Sequence, residues 1–127
     1  MNQSENTIPA NAVNSPEKLY ELSMIEQLCR GNQEQVIKMI SVFIDQVPPS
    51  VEEIKIAYGK RDFLAIKKTA HKIKPTLTYY GIALLEKDIR FIEALAETES
   101  ANELAIKIKK LDEVITAVAA QMKKDYL

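Results

Sequence analysis

The stretch Val36-Ile37-Lys38-Met39-Ile40-Ser41-Val42-Phe43-Ile44-Asp45-Gln46-Val47-Pro48-Pro49-Ser50-Val51-Glu52-Glu53-Ile54 decides the fold. Its apolar positions Val36, Ile40, Phe43, Ile44 and Val47 recur at helical spacing. Pro48-Pro49 should break such a helix, because each proline lacks an amide donor and crowds the turn before it. Yet the stripe resumes in phase at Val51, Ile54 and Tyr58, and the triplets Ile40/Val47/Ile54 and Ile44/Val51/Tyr58 keep a seven-residue spacing. This favours one kinked helix over about 33–58. A restart at Ser50-Val51-Glu52-Glu53, which has capping-box spacing, is the rival reading.

The pattern continues in both directions. Upstream, Ser23-Met24-Ile25-Glu26 reads as a capping box opening a short helix with Met24, Ile25 and Leu28, ended by Gly31. Asn32 can cap the long helix. Downstream, Gly59 closes it and Asp62 caps a third helix with Phe63, Ile66, Ala70, Ile73 and Leu77 inward. Gly81 turns the chain into a helix over about 82–97, with Leu85, Ile89, Ile92 and Ala96 inward. Ser100-Ala101-Asn102-Glu103 is a third capping-box pattern. The last helix carries Leu104, Ile108, Leu111, Ile115, Val118 and Met122. The expected fold is all-α: an antiparallel up-down-up-down four-helix bundle with a short extra N-terminal helix.

Composition narrows the function. The 127 residues suit a single domain, expected over 15–127, with residues 1–14 a polar, disordered tail or linker. A net charge of −1 argues against nucleic acid as partner. Cys29 is the only cysteine, which rules out an intrachain disulfide or a cysteine metal knuckle. No apolar run reaches membrane-span length. The expectation is a soluble cytoplasmic monomer with no metal site.

One histidine, His71, lies in Thr69-Ala70-His71-Lys72-Ile73-Lys74-Pro75-Thr76. On a helical wheel it falls about 120° from the apolar centre of its helix, at the edge of the exposed side. Lys67, Lys68 and Lys74 are its neighbours at helical spacing, with Lys72 adjacent, Pro75 one turn on and Thr78 two turns on. A lone imidazole among lysines suits a nucleophile that holds a negative group. A solvated lysine face with an incidental histidine is the plain alternative. Glu93 stands twelve residues after Gly81 and His71 ten before it, so an antiparallel turn there brings the two to similar heights. A carboxylate accepting from Nδ1–H would leave Nε2 as the nucleophilic lone pair. Arg90 is the competing local partner for Glu93. Tyr79 and Tyr80 read as packing and turn residues, and Cys29 as a small core residue.

The run Ala70-His71-Lys72-Ile73-Lys74, Gly81, Leu84-Leu85 and Ile92-Glu93 resembles the histidine-containing phosphotransfer (HPt) domain. Leu19-Tyr20-Glu21-Leu22, Met24 to Leu28, Gly31-Asn32 and the proline in the long helix resemble that family's lead-in, so the similarity spans about residues 17–120. The resemblance implies His71 as phosphoacceptor, Lys74 neutralising the phosphoryl oxygens and Glu93 orienting the imidazole. It further implies Lys67, Lys68, Lys72, Pro75 and Thr78 at the docking rim. It implies a phosphocarrier rather than a turnover enzyme, with no cofactor of its own. Its partners would be response-regulator receiver domains, which supply Mg²⁺, and a hybrid sensor kinase could contain or feed it. Pro75 departs from the pattern, which has glycine or serine there. A receiver-binding pseudo-HPt module, or a helical scaffold without phosphotransfer, is the alternative function.

Overall fold

The computed structural model describes residues 18–127, and the expected tail at 1–14 lies outside them. The described chain is all-helical, with α1 Ser23–Cys29, α2 Gln33–Gly59, α3 Phe63–Tyr79, α4 Glu86–Glu97 and α5 Ala101–Tyr126. A 3₁₀ turn, Ala83–Leu85, leads into α4. Each of α2 to α5 packs on the next, α5 closes back on α2, and α1 lies against α2. The apolar stripes meet in one core, in which Ile25, Ile40, Ile54, Ile66, Leu77, Ile92, Leu104 and Leu111 are fully buried. Each such aliphatic side chain contributes about 1.5–3 kcal/mol of burial free energy.

α2 passes through Pro48 and Pro49 without ending, so the one-helix reading holds and the restart does not occur. The prolines leave the carbonyls of Ile44 and Asp45 without their helical donors. Ser50, the expected cap of a second helix, is instead buried, and its hydroxyl donates to the Gln46 carbonyl at 2.9 Å. Packing on α3 and α5 holds the helix together where local preference alone would interrupt it. Ile44 and Tyr58, read as stripe positions, are only half-buried. Ser50 and Ala57 are buried on α2 as well.

Two of the five caps follow the sequence reading. Asn32 and Asp62 accept from the amides of Gln35 and Ala65, each at 3.1 Å. The capping boxes at Ser23 and Ser100 do not form. Ser23 lies inside α1, its hydroxyl donating to Glu21, and Leu22 occupies the cap position. Ser100 is at the cap of α5 but its hydroxyl pairs with that of Thr98, 2.7 Å away. In both cases the hydroxyl is turned towards a neighbouring side chain and makes no bond to the helix amides.

Gly81 requires its glycine on two counts. Its φ is +65°, and a Cβ there would come within 2.8 Å of the Glu21 amide nitrogen. The lead-in segment therefore lies directly on the turn after α3, held by the Glu21 amide donating to the Tyr80 carbonyl at 3.1 Å. Leu19 and Tyr20 fasten the same segment to the end of α5 through Gln121 and Asp125. Tyr80 packs on Phe43 at 4.9 Å between ring centres and donates to the Met39 carbonyl at 2.8 Å. Burial pushes its hydroxyl up to about 12, so it stays a donor. No helix among the described residues is long and apolar enough to cross a membrane.

Candidate functional site

α3 buries Ile66, Ala70, Ile73 and Leu77, which turns His71 outward. Its side chain is 73 % exposed. α4 buries Ile89 and Ile92 and thereby points Glu93 along the seam towards α3, where its side chain is only 16 % exposed. The two meet at 2.6 Å, His71 Nδ1 to Glu93 Oε2. The other carboxylate oxygen, Oε1, accepts from Lys74 Nζ at 2.8 Å. Arg90, the alternative partner for Glu93, is exposed and makes no ion pair among the described residues.

Burial pushes the Glu93 carboxyl up, but the hydrogen bonds from Lys74 and His71 and their charges outweigh it and hold the group below its ordinary value. An ionised carboxylate can only accept, so Nδ1 is the donor. In the neutral ring Nε2 would then bear the lone pair, and it has no hydrogen bond among the described residues.

The lysines divide into two groups. Lys67 pairs with Glu97, and Lys74 with Glu93. Lys68 and Lys72 are exposed without an ion pair among the described residues. Of the lysines expected at a docking rim, Lys68 and Lys72 thus carry unpaired charge among the described residues, while Lys67 is neutralised across the α3–α4 seam. Pro75 and Thr78 are exposed on the same helix. α3 continues through Pro75 to Tyr79, so the proline withdraws a donor from the His71 carbonyl without ending the helix. Beyond Lys72, a groove of about 350 Å³ runs between α3 and α2, lined by Gln46, Pro49, Glu53, Lys72 and Thr76.

On α1, Ile25 is fully buried in the core while Met24 and Leu28 are exposed, at 48 % and 58 %. Cys29 is half-buried against the core.

Two features went unread in the sequence. The Lys67–Glu97 pair repeats the His71–Glu93 pair one turn towards the other end of the seam: four residues back on α3, four forward on α4. Extending the same height-matching would have found it. The second is Asp88, 7 % exposed at its side chain, which is gripped by Lys107 and Lys110 of α5, each at 2.7 Å. An acid beside the inward Ile89, facing two lysines three apart, is a signal that only the pairing of α4 with α5 makes visible.

The arrangement can present a nucleophilic ring nitrogen to an incoming electrophile, with a fixed tautomer and nearby positive charge. Among the described residues no cluster of three His, Cys, Asp or Glu could hold a metal ion. Comparison with protein-family models, with curated proteins and with solved structures returns no match to this chain.

Proposed function

We propose that this chain is a histidine phosphotransfer domain of a two-component phosphorelay, with His71 as phosphoacceptor. The observation that carries the reading is the exposed imidazole whose Nδ1 is held by a buried-edge carboxylate, leaving Nε2 open to solvent. The cyclic packing of α2 to α5 supports an antiparallel up-down-up-down four-helix bundle as the platform, with α1 as the extra N-terminal helix.

In this mechanism a receiver domain presents an aspartyl phosphate. His71 Nε2 attacks the phosphorus in line, the N–P bond forms, and the P–O bond breaks with its electron pair leaving on the aspartate. A second receiver's aspartate reverses the step. The receiver contributes Mg²⁺ and most of the charge stabilisation. This chain contributes a positioned nucleophile and needs no cofactor, which makes it a phosphocarrier. Lys74 sits within one turn of the ring and can turn from Glu93 to a phosphoryl oxygen as a point charge. Lys68 and Lys72 favour encounter with the acidic pocket of a receiver. Met24 and Leu28 supply exposed apolar surface on α1 for the same partner. A cytoplasmic, monomeric protein goes with this reading, in which the apolar stripes of α2 to α5 meet in one core within the chain.

The test is to mix the purified chain with a receiver phosphorylated by a small-molecule donor. Acid-labile phosphate on His71 is expected. Absence of label across several receivers, or label that survives in His71→Gln, contradicts the proposal. Co-elution with a receiver without label would support the receiver-binding pseudo-HPt alternative instead.

A further inference from the structure

The group that holds His71 is a carboxylate, where a neutral amide would serve equally well to orient a ring. The difference is chemical. An amide offers both an acceptor and a donor, so it can turn and follow the ring through either protonation state. An ionised carboxylate can only accept. Glu93 is held in that form by two donors at once, His71 Nδ1 at 2.6 Å and Lys74 Nζ at 2.8 Å.

Other charges around the ring leave this control with Glu93. On α3, Lys67 is neutralised by Glu97, Lys74 is engaged by Glu93, and Lys68 and Lys72 point to solvent. On α4, Arg90 is exposed and Glu97 is taken by Lys67. On α2, Glu53 lies across the groove on the Lys72 side. Among the described residues, Glu93 alone reaches Nδ1.

Resting on the phosphocarrier reading, we infer that Glu93 keeps His71 Nδ1 protonated through the whole transfer cycle, so that the phosphorylated ring is a phosphoimidazolium made to release its group and not to store it. In the forward step the Nε2 lone pair forms the N–P bond and the ring becomes a cation with its proton still on Nδ1. In the return step a receiver carboxylate oxygen attacks phosphorus, the N–P bond breaks, and its electron pair returns to Nε2. The leaving group is neutral imidazole, and no proton has to move in either direction. A ring that lost the Nδ1 proton would have to leave as imidazolate, a far poorer leaving group. Before transfer Lys74 positions the carboxylate through Oε1; once it turns to the phosphoryl group, the Oε2 contact alone holds Nδ1.

The experiment phosphorylates the full chain with potassium phosphoramidate, whose P–N bond breaks with release of ammonia. The ring nitrogens of His71 are then followed by ¹⁵N NMR, in which the chain's single histidine gives one unambiguous ring. In the phosphorylated wild type Nδ1 should keep its proton to a pH at least one unit above the value at which it is lost in phosphorylated Glu93→Gln. The phosphohistidine of Glu93→Gln should live several-fold longer at pH 8, because a titration midpoint lower by one pH unit leaves a several-fold smaller share of the protonated, labile ring. Loss of the Nδ1 proton at the same pH in both, or equal lifetimes, overturns the inference. Should Glu93→Gln not fold, the wild-type titration decides alone: a proton lost near pH 7, the ordinary histidine range, overturns it. No phosphohistidine from phosphoramidate or from aspartyl-phosphate donors removes the phosphocarrier reading itself, a result distinct from a phosphorylated ring with the wrong titration.

Discussion

Lys74 Nζ lies 2.8 Å from Glu93 Oε1, on the carboxylate whose other oxygen holds His71. The cation expected to await a phosphoryl group is thus already engaged, and half-buried, before any phosphate arrives. Lys74→Ala should slow phosphorylation of His71 by about tenfold or more, through loss of a charge near the reacting group. The pair itself is partly solvated, so unfolding free energy should change by no more than about 1 kcal/mol. Paired rate and thermal-unfolding measurements check this; a large fall in stability with an unchanged rate would make Lys74 a structural residue.

Asp88 offers a test in which the chemistry of His71 plays no part. Burial pushes its carboxyl up, but the hydrogen bonds from Lys107 and Lys110 and their charges prevail and hold it below its ordinary value of 3.8. A group with a depressed folded-state value adds stability above its unfolded value and loses it as pH falls through the folded one. Both lysines are about a third exposed, which tempers the effect. Asp88→Asn should therefore cost about 1–2 kcal/mol at neutral pH. In urea unfolding, the gap between wild type and variant should close as pH drops below 3.8. A gap that persists unchanged at pH 3 would assign the loss to packing.

The turn at Gly81 and the one at Gly31 separate strain from crowding. Both have positive φ, +65° and +77°, but a Cβ at Gly31 meets open space while one at Gly81 meets the Glu21 backbone. Gly31→Ala should cost about 1 kcal/mol, the backbone penalty alone. Gly81→Ala should cost about 2–4 kcal/mol, because the lead-in segment must also shift. Equal losses in denaturant titrations would show that Glu21 is free to move away.

Pro75 stands at an exposed position inside α3. Alanine there restores the donor for the His71 carbonyl and should stabilise the chain by about 1–3 kcal/mol. Label on His71 should persist in Pro75→Ala, because Nε2 and the Glu93 contact lie on the side chain. Abolished labelling would place the proline's backbone geometry inside the chemistry.

Much of this was legible because a buried stripe is a sum over many residues. The inward positions of α5 from Leu104 to Met122 and those of α4 from Ile89 to Ala96 stand where spacing placed them, while Leu85 is buried from the 3₁₀ turn before α4. The continuity of α2 was readable because the stripe kept its phase across Pro48-Pro49, which outweighs two missing donors. His71 and Glu93 were placed at one height by counting from Gly81, since an antiparallel turn fixes register. What escaped depends on a single competitor. Ser23 and Ser100 have the spacing of caps, but Glu21 and Thr98 take their hydroxyls. Lys74 and Lys67 looked like free cations on the wheel, which describes one helix and not the acids of the next. Asp88 looked like an ordinary first-turn acid of α4 until α5 brought two lysines onto it.

The most direct measurement is phosphoryl transfer to His71 from a receiver carrying an aspartyl phosphate, read as acid-labile, base-stable label and compared with His71→Gln. Label is expected on the wild type and none on the variant. Wild-type protein that stays unlabelled with several phosphorylated receivers, or a variant that labels equally well, contradicts the phosphocarrier reading.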